Sequence, residues 1–169
     1  MIQYCLKCGA SLHQIFEHGF NRYICHACGW TFYNNPRPCV TAVIHQSQNI
    51  LFIRRAVPPG QGKWDFPGGF MEIGEHPEQA LRRELREEIG TTLSSFQQLG
   101  FYTDIYNTDE EIPILNIVFL CRIQGDPRKQ SEEFDQWAWF PISGLPDHYA
   151  FLSMKNIIRD TLILLDNAD

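Results

Sequence analysis

Four cysteines near the N-terminus constrain the fold of this chain more than any other sequence feature. They form two C-x2-C pairs, each followed by glycine and separated by sixteen residues: Cys5, Cys8, Cys25 and Cys28. Two such turns can bring four sulfur atoms to one point, which is the ligand set of a closed tetrahedral zinc site. The spacing therefore predicts a structural Zn²⁺. A redox disulfide pair and an iron–sulfur cluster are the competing interpretations.

The cysteine-rich head is too short to bury a sizeable apolar core, so we expect metal binding to supply part of its folding free energy. It ends at a stretch of turn-forming residues, Asn34-Asn35-Pro36-Arg37-Pro38, which is typical of a linker. We therefore predict a zinc ribbon over residues 1–35 and a larger domain over residues 36–169.

The larger domain shows the patterns of a mixed α/β fold. Residues 76–89 give the clearest helix signal, because Pro77 suits the first turn and Gly90 the helix end. Residues 151–165 predict a closing amphipathic helix. The predicted strands are 39–45 and 50–54 as a hairpin, then 96–106, 114–123 and 137–140. Strands combined with two helices predict an α/β sandwich.

Composition limits the classes of partner. The 169 residues are 44% hydrophobic and carry 14 Lys+Arg against 20 Asp+Glu, a net charge of −6. Non-specific binding to nucleic acid or to anionic lipid needs a net basic surface, so both are disfavoured. No apolar run approaches the roughly 20 residues of a membrane span, and no secretory signal is visible. We expect a soluble, cytoplasmic protein; a homodimer is left open.

Three glutamates share one side of the helix predicted over residues 76–89. At about 100° per residue, Glu84, Glu87 and Glu88 fall within roughly one third of the circumference, beside the apolar arc of Leu85 and Ile89. Like charges at these spacings repel. An ordinary charged surface helix is one interpretation; the other is a site for a hard cation that prefers oxygen ligands.

The residues around this helix match a longer pattern, G-x5-E-x7-R-E-U-x-E-E-x-G-U, in which U is aliphatic. The residues in register are Gly69, Glu75, Arg83, Glu84, Leu85, Glu87, Glu88 and Gly90. The one departure is Thr91, at the last aliphatic position. The stretch resembles the Nudix box of the Nudix hydrolase family, and the resemblance extends over about residues 38–165. It implies an α+β fold, the Nudix-type α/β/α sandwich with a mixed sheet.

The resemblance also implies a metal-dependent pyrophosphohydrolase. Glu84, Glu87 and Glu88, together with the Gly69 carbonyl, would hold Mg²⁺ or Mn²⁺. Arg83 would orient the glutamates through charge-assisted hydrogen bonds. The remaining acid of the box, Glu75, would support the junction between loop and helix or a second metal. The ions would neutralise a diphosphate, activate water and align it with the phosphorus–oxygen bond to be broken.

Other residues carry weaker signals. The resemblance implies that the general base is a box glutamate or an acid of a later loop, and the later-loop candidates are Glu110, Glu111, Glu132 and Glu133. Arg54 and Arg55 end a strand and could reach a phosphate, although a surface pair is an equal alternative. Trp64, with Phe66 and Tyr102, could stack on a base, although aromatic residues in strands more often belong to the core.

The resemblance implies a nucleotide-derived small molecule as the substrate. A zinc ribbon ahead of a Nudix domain resembles NADH pyrophosphatases, but their Ser-Gln-Pro-Trp-Pro-Phe-Pro element is replaced here by residues 100–106, Gly-Phe-Tyr-Thr-Asp-Ile-Tyr. Ribbon-bearing relatives that include FAD pyrophosphatases are more similar, and ADP-ribose is a further candidate. The alternative function is a non-catalytic Nudix module that senses a nucleotide or binds RNA ends. The complete glutamate set favours catalysis.

Overall fold

A computed structural model describes residues 3–106 and 111–167 of the chain. The chain divides into two compact units, Met1–Pro36 and Arg37–Asp169. In the described part, neither α-helix is both long and apolar enough to cross a membrane.

The first unit is a small antiparallel sheet with the strand order β1-β2-β3. The strands are β1 (His13–Glu17), β2 (Phe20–Ile24) and β3 (Thr31–Phe32). Of residues 3–36, only Cys5 and Cys25 are buried. The described part of the first unit therefore has no apolar core apart from its cysteines.

The second unit is built on a seven-stranded mixed sheet, whose main path runs β10-β5-β4-β9-β8. Its strands are β4 (Arg37–Gln46), β5 (Asn49–Arg55), β6 (Trp64–Asp65), β7 (Gly68–Phe70), β8 (Thr92–Ile105), β9 (Pro113–Gln124) and β10 (Phe134–Pro141). The long interior strands β4 and β9 run parallel, whereas the other pairs are antiparallel. Beyond the main path, β6 pairs with β5 and β7 pairs with β4.

One helix packs on each face of this sheet: α1 (Pro77–Ile89) and α2 (Met154–Asp166). Alternation along the strands separates two cores. Ala42 and Ile44 of β4 join Leu85 of α1 in one apolar cluster. Between them along β4, Val43 points the other way and joins Ile157 of α2 in a second cluster. The predicted α/β/α sandwich is confirmed.

Helix α1 begins and ends where the sequence signals predict. His76 caps its first turn: the Nδ1 atom accepts from the Glu78 N–H at 3.3 Å, and the His76 N–H donates to Gln79 Oε1 at 2.8 Å. Gly90 ends the helix in the left-handed conformation. These local interactions explain why the bounds of α1 could be read from sequence.

Helix α2 begins three residues later than the predicted start at residue 151. The segment before it is fixed by a tertiary contact, in which the Ser153 N–H donates to Asp104 Oδ2 at 2.6 Å. Because Asp104 lies on β8, a sequence pattern within the helix contains no signal for this contact. Strand β8 also starts earlier than predicted, at Thr92 rather than at residue 96.

Candidate active site and candidate zinc site

The four N-terminal cysteines converge on one point. One sulfur atom from each of Cys5, Cys8, Cys25 and Cys28 lies within 4.8 Å of the other three. The Sγ atoms of Cys5 and Cys28 are 3.7 Å apart, and those of Cys8 and Cys25 are 3.5 Å apart. Tetrahedral thiolates about 2.3 Å from zinc lie roughly 3.8 Å from one another. The sulfur geometry therefore fits a four-coordinate metal.

The two cysteine turns have the same backbone structure. The N–H of Gly9 donates to the carbonyl of Cys5, and the N–H of Gly29 donates to that of Cys25, both at 2.8 Å. Each glycine has a φ near +75°, which L residues with a side chain rarely adopt. The Lys7 N–H also points to Cys5 Sγ at 3.4 Å. Such amide contacts stabilise a thiolate, which is the metal-binding form of cysteine.

In the second unit, Arg83 of α1 organises the acidic residues of the box. Its Nε and Nη2 atoms donate to the two oxygens of Glu75, both at 2.9 Å. Its Nη1 atom donates to Glu84 at 2.7 Å and to Glu87 at 3.2 Å, and Nη2 also donates to the Phe70 carbonyl at 3.0 Å. A guanidinium has five N–H donors, so every donor of Arg83 is used. The hydrogen bonds that Glu75 itself accepts, first those from Arg83 and then one from a backbone N–H, lower its pKa to about 2.

The glutamates of α1 differ in burial. Glu87 has 59% of its side chain exposed, whereas Glu88 is buried. The Gly68 N–H donates to Glu88 Oε2 at 2.8 Å. Burial raises the pKa of Glu88 well above its usual value, and the nearby Glu84 and Asp65 raise it further. Burial also raises the pKa of Glu84, against the opposing effect of Arg83. A cation placed beside these carboxylates would offset their repulsion and their desolvation.

The chain approaches Glu84 closely at Gly69. A Cβ atom on residue 69 would lie 2.6 Å from the Glu84 Cδ atom, which is far inside van der Waals contact. Glycine at this position therefore allows β7 to lie directly beside the carboxylate. The oxygen-rich donor set around it fits a hard cation such as Mg²⁺ or Mn²⁺.

A cavity of about 260 Å³ opens beside these carboxylates. Its acidic wall contains Glu84, Glu88 and Glu133, and Arg83 and Gly69 also line it. Glu133 precedes β10 and raises the pKa of both Glu84 and Glu88. Chain segments far apart in sequence are thus brought to one acidic site.

The other acids predicted as general bases lie elsewhere. Glu132 is exposed and pairs with Lys129 at 2.9 Å. Glu111 is exposed and does not line the cavity. Glu110 lies outside the described residues. Of the described candidates from the later loops, only Glu133 reaches the cavity.

The two predicted phosphate-binding arginines have different positions. Arg55 lines the cavity, where its Nη1 atom donates to Asp65 at 3.0 Å and its Nε atom to the Pro59 carbonyl at 2.6 Å. Arg54, the preceding residue of β5, is half-exposed and forms a bidentate pair with Asp135, at 2.8 and 3.0 Å. Arg54 is not among the residues that line the cavity.

The predicted aromatic residues are also divided. Phe66 lines the cavity. Trp64 packs edge-on against Phe140 in the core on the α2 side, and Tyr102 donates from its hydroxyl to Asp160 at 2.8 Å. Neither Trp64 nor Tyr102 lines the cavity.

Comparison with known proteins agrees with this geometry. The profile of the NUDIX domain matches residues 35–161. The chain belongs to the NUDIX family. The prediction of a Nudix hydrolase, made from the box that contains Arg83 and the three glutamates, is confirmed.

Several relatives illustrate the range of the family. An ADP-ribose pyrophosphatase from Methanocaldococcus jannaschii is 31% identical over 135 residues, which cover 78% of this chain and 76% of that protein. The nucleoside triphosphatase NudI of Escherichia coli is 39% identical over 113 residues, covering 62% and 79% respectively. The crystal structure of a Nudix hydrolase from Nitrosomonas europaea is 26% identical, with a TM-score of 0.68 over 89% of this chain and 85% of that one.

Sequence reasoning missed several residues of the Nudix cavity. Tyr106 and Phe151 line it, as do Asp65 and Asn116. A polar residue in the middle of the apolar run of β9 was a usable signal for Asn116, since buried amides need partners. Tyr106 and Phe151 had no comparable signal, because only the tertiary fold brings the end of β8 beside the start of α2.

Proposed function

We propose that this Nudix hydrolase cleaves the diphosphate linkage of a nucleoside diphosphate derivative, giving a mononucleotide and a phosphorylated fragment. The observation that carries the proposal is the acidic wall of the cavity, where Glu84, Glu88 and Glu133 lie together beside Gly69. An open acidic cavity of this kind suits a cation that is shared with a phosphorylated substrate. The fully bonded Arg83 supports it by fixing Glu84 of this wall before substrate arrives.

Glu84, Glu87 and Glu88, with the Gly69 carbonyl, would hold Mg²⁺ or Mn²⁺. When bound, such an ion supplies charge neutralisation for the diphosphate and lowers the pKa of water. Glu87 is the most exposed of these ligands, so its carboxylate can turn toward the cation from its longer contact with Arg83. The closed cysteine site takes a separate role, as a structural zinc site.

Glu133 is the candidate that the cavity favours as general base. In the proposed step, it accepts a proton from water while the water oxygen bonds to phosphorus. The bridging phosphorus–oxygen bond then breaks, and its electron pair stays on the departing phosphate. Arg55 lines the same cavity, and among the described residues two of its five N–H donors have no partner after its bonds to Pro59, Asp65 and Tyr106. These donors can bind a phosphate oxygen.

The substrate candidates are ADP-ribose, FAD and NADH. The similarity to an ADP-ribose pyrophosphatase over most of both chains supports ADP-ribose. Another similar protein is named a nucleoside triphosphatase, which acts on a different class of phosphate compound. Membership of the family alone therefore does not choose between the substrate candidates. The homodimer and the cytoplasmic location stay predictions.

A substrate panel tests this proposal. Purified protein is incubated with NADH, FAD, ADP-ribose and diadenosine polyphosphates, with millimolar Mg²⁺ or Mn²⁺ and in parallel with chelator. We expect release of nucleoside monophosphate from at least one compound, and only with metal present. If every compound stays intact with metal, the non-catalytic sensing or RNA-end-binding module becomes the better interpretation.

A further inference from the structure

Among the described residues, one buried amide oxygen in the cavity has no hydrogen-bond partner. Asn116 of β9 is 8% exposed and lines the cavity, and among the described residues its Oδ1 atom has no hydrogen-bond donor. Buried side-chain amides are almost always hydrogen-bonded, because leaving one unpaired is costly. The Asn116 amide is therefore available to a bound group.

Its position in the sheet explains why the residues paired with it do not satisfy it. Asn116 lies on an interior strand, opposite Cys39 of β4 and Tyr102 of β8. By strand alternation it shares a face with Val118, which packs toward α2. The Tyr102 hydroxyl donates to Asp160 and not to Asn116, and the Cys39 thiol donates to a backbone carbonyl, so neither paired residue satisfies the Asn116 oxygen.

Aromatic side chains surround the same cavity. Tyr106 and Phe151 stack with their ring centroids 5.8 Å apart, and Phe70 meets Tyr106 edge-on at 5.0 Å. The Arg55 guanidinium lies 5.4 Å from the Phe151 ring centroid and 5.8 Å from that of Tyr106. All four residues line the cavity. Rings and a planar guanidinium are the usual stacking surfaces for nucleobases.

We propose that Asn116, Phe70, Tyr106 and Phe151 form a nucleobase subsite, in which the Asn116 carbonyl oxygen accepts a hydrogen bond from the amino group of the base. The assignment rests on the proposed function, because it makes the base part of the hydrolysed substrate. An amino-bearing base such as adenine supplies the donor that Asn116 lacks. Its flat ring supplies a partner for the aromatic side chains.

A sugar hydroxyl is the other nucleoside group that could donate to Asn116, and the test separates the two. The probes are adenosine, purine riboside and ribose. Purine riboside has the same ring and sugar as adenosine but no amino group. Inosine is unsuitable, because an asparagine amide can rotate and donate to its carbonyl oxygen. All three probes are uncharged, so binding is measured in chelator, independently of metal and of hydrolysis.

Dissociation constants are measured for the full chain by ligand-observed NMR. We expect adenosine to bind about tenfold more tightly than purine riboside, as one net hydrogen bond predicts, and ribose to bind far more weakly than either. In Asn116→Leu the ratio of the purine riboside and adenosine dissociation constants should fall to about one. In Phe151→Leu both nucleosides should bind more weakly, while the ratio of their dissociation constants should stay the same.

Thr91→Val is the matched control. Thr91 is also buried, and among the described residues its hydroxyl also has no partner, but it does not line the cavity. Its replacement should leave all three affinities unchanged. Asn116→Leu should melt at the same or a higher temperature than wild type, because it removes an unpaired buried amide; a structural amide would give a lower one.

Several results overturn the subsite. They are equal binding of adenosine and purine riboside to wild type, an unchanged ratio in Asn116→Leu, ribose binding as tightly as adenosine, and no binding of adenosine at all. The comparison of adenosine with purine riboside needs only wild-type protein, so it tests the subsite even if Asn116→Leu fails to fold. If the substrate panel shows no hydrolysis but adenosine is preferred, the subsite stands and the catalytic proposal falls.

Discussion

The two candidate metal sites differ in how completely the chain assembles their ligands. In the first unit, four sulfur atoms already lie within 4.8 Å of one another. In the second, Arg83 holds Glu84 and Glu87 while Glu88 binds the backbone at Gly68. Across residues 3–106 and 111–167, no three carboxylates form a group as tight as the cysteines. One site is closed on itself, and the other opens on a cavity.

The two sites also differ in how much apolar core surrounds them. Of residues 3–36, only Cys5 and Cys25 are buried, so the cysteine site occupies the place of a core. The second unit has an apolar cluster on each face of its sheet, and neither depends on the glutamates. Loss of metal should therefore unfold the first unit, whereas in the second it should remove activity and leave the fold. Four predictions test this contrast.

The largest expected effect is on the first unit. Cys25→Ser should reduce bound zinc from about one equivalent per chain to well below it and unfold residues 1–36, because these residues have little else to bury. The measurements are metal analysis and backbone amide hydrogen exchange. Residues 37–169 should keep their protection.

Cys121→Ala is the control for this change. Cys121 is buried in the α1-side core of the second unit, remote in sequence from the other sulfurs. Its loss should leave zinc content unchanged and destabilise only the second unit. If wild-type protein contains neither zinc nor a substitute ion, or if residues 1–36 stay protected in Cys25→Ser, the contrast is wrong.

The second prediction concerns activity. Glu88→Gln and Glu87→Gln should each reduce turnover at least about 100-fold, because a lost metal ligand weakens charge stabilisation in the transition state by several kcal/mol. The free energy of unfolding should stay level or rise in Glu88→Gln. The change replaces a carboxyl group whose ionisation is disfavoured by burial, as its raised pKa indicates, with a neutral amide. Turnover and urea unfolding are measured on the same preparations.

Glu78→Gln is the control on the same helix. Glu78 is half-exposed and pairs with Arg82 at 3.1 Å, a contact worth little. Its replacement should leave turnover near wild type. If Glu88→Gln instead loses stability and keeps turnover at saturating metal, Glu88 is structural and the assignment of the open site fails.

The third and smaller expected effect is at Arg83. Arg83→Lys keeps the positive charge but has three donors in place of five, so it cannot hold Glu75, Glu84, Glu87 and the Phe70 carbonyl together. We expect turnover to fall about 10–100-fold, as is usual for residues that orient metal ligands. The activity lost should be partly recovered at higher Mg²⁺. Recovery distinguishes misplaced ligands from a lost contact with substrate, which added metal would not restore.

The sequence predicted the parts of this contrast that depend on local spacing. The cysteine turns, the bounds of α1 and the shared side of its glutamates all follow from residues close together in the chain. Contacts between distant segments could not be predicted. Sequence could not separate Glu133 from Glu132, because both occupy one loop and only the tertiary fold brings Glu133 to the cavity. Arg54 and Arg55 alternate across a strand, but which of them faces the cavity depends on β6, where Asp65 lies.

The smallest expected effect is at Thr91, which follows the glutamates in the box and has no predicted role in chemistry. Its side chain is 2% exposed, and its hydroxyl has no partner among the described residues. Valine has nearly the same shape and is the aliphatic type that the box pattern calls for. Thr91→Val should raise the free energy of unfolding by about 1 kcal/mol, because an unpaired buried hydroxyl is removed.

Thr161 provides the matched comparison for that change. It is equally buried, but its hydroxyl donates to the Ile157 carbonyl at 2.8 Å. Thr161→Val should therefore leave stability level or lower it by about 0.5–1 kcal/mol, since a satisfied donor is lost. Urea unfolding of the second unit measures both variants. Turnover should stay near wild type in Thr91→Val. A fall of tenfold or more would mean that the last position of the box, which lies just past α1, contributes to the active site and not only to packing.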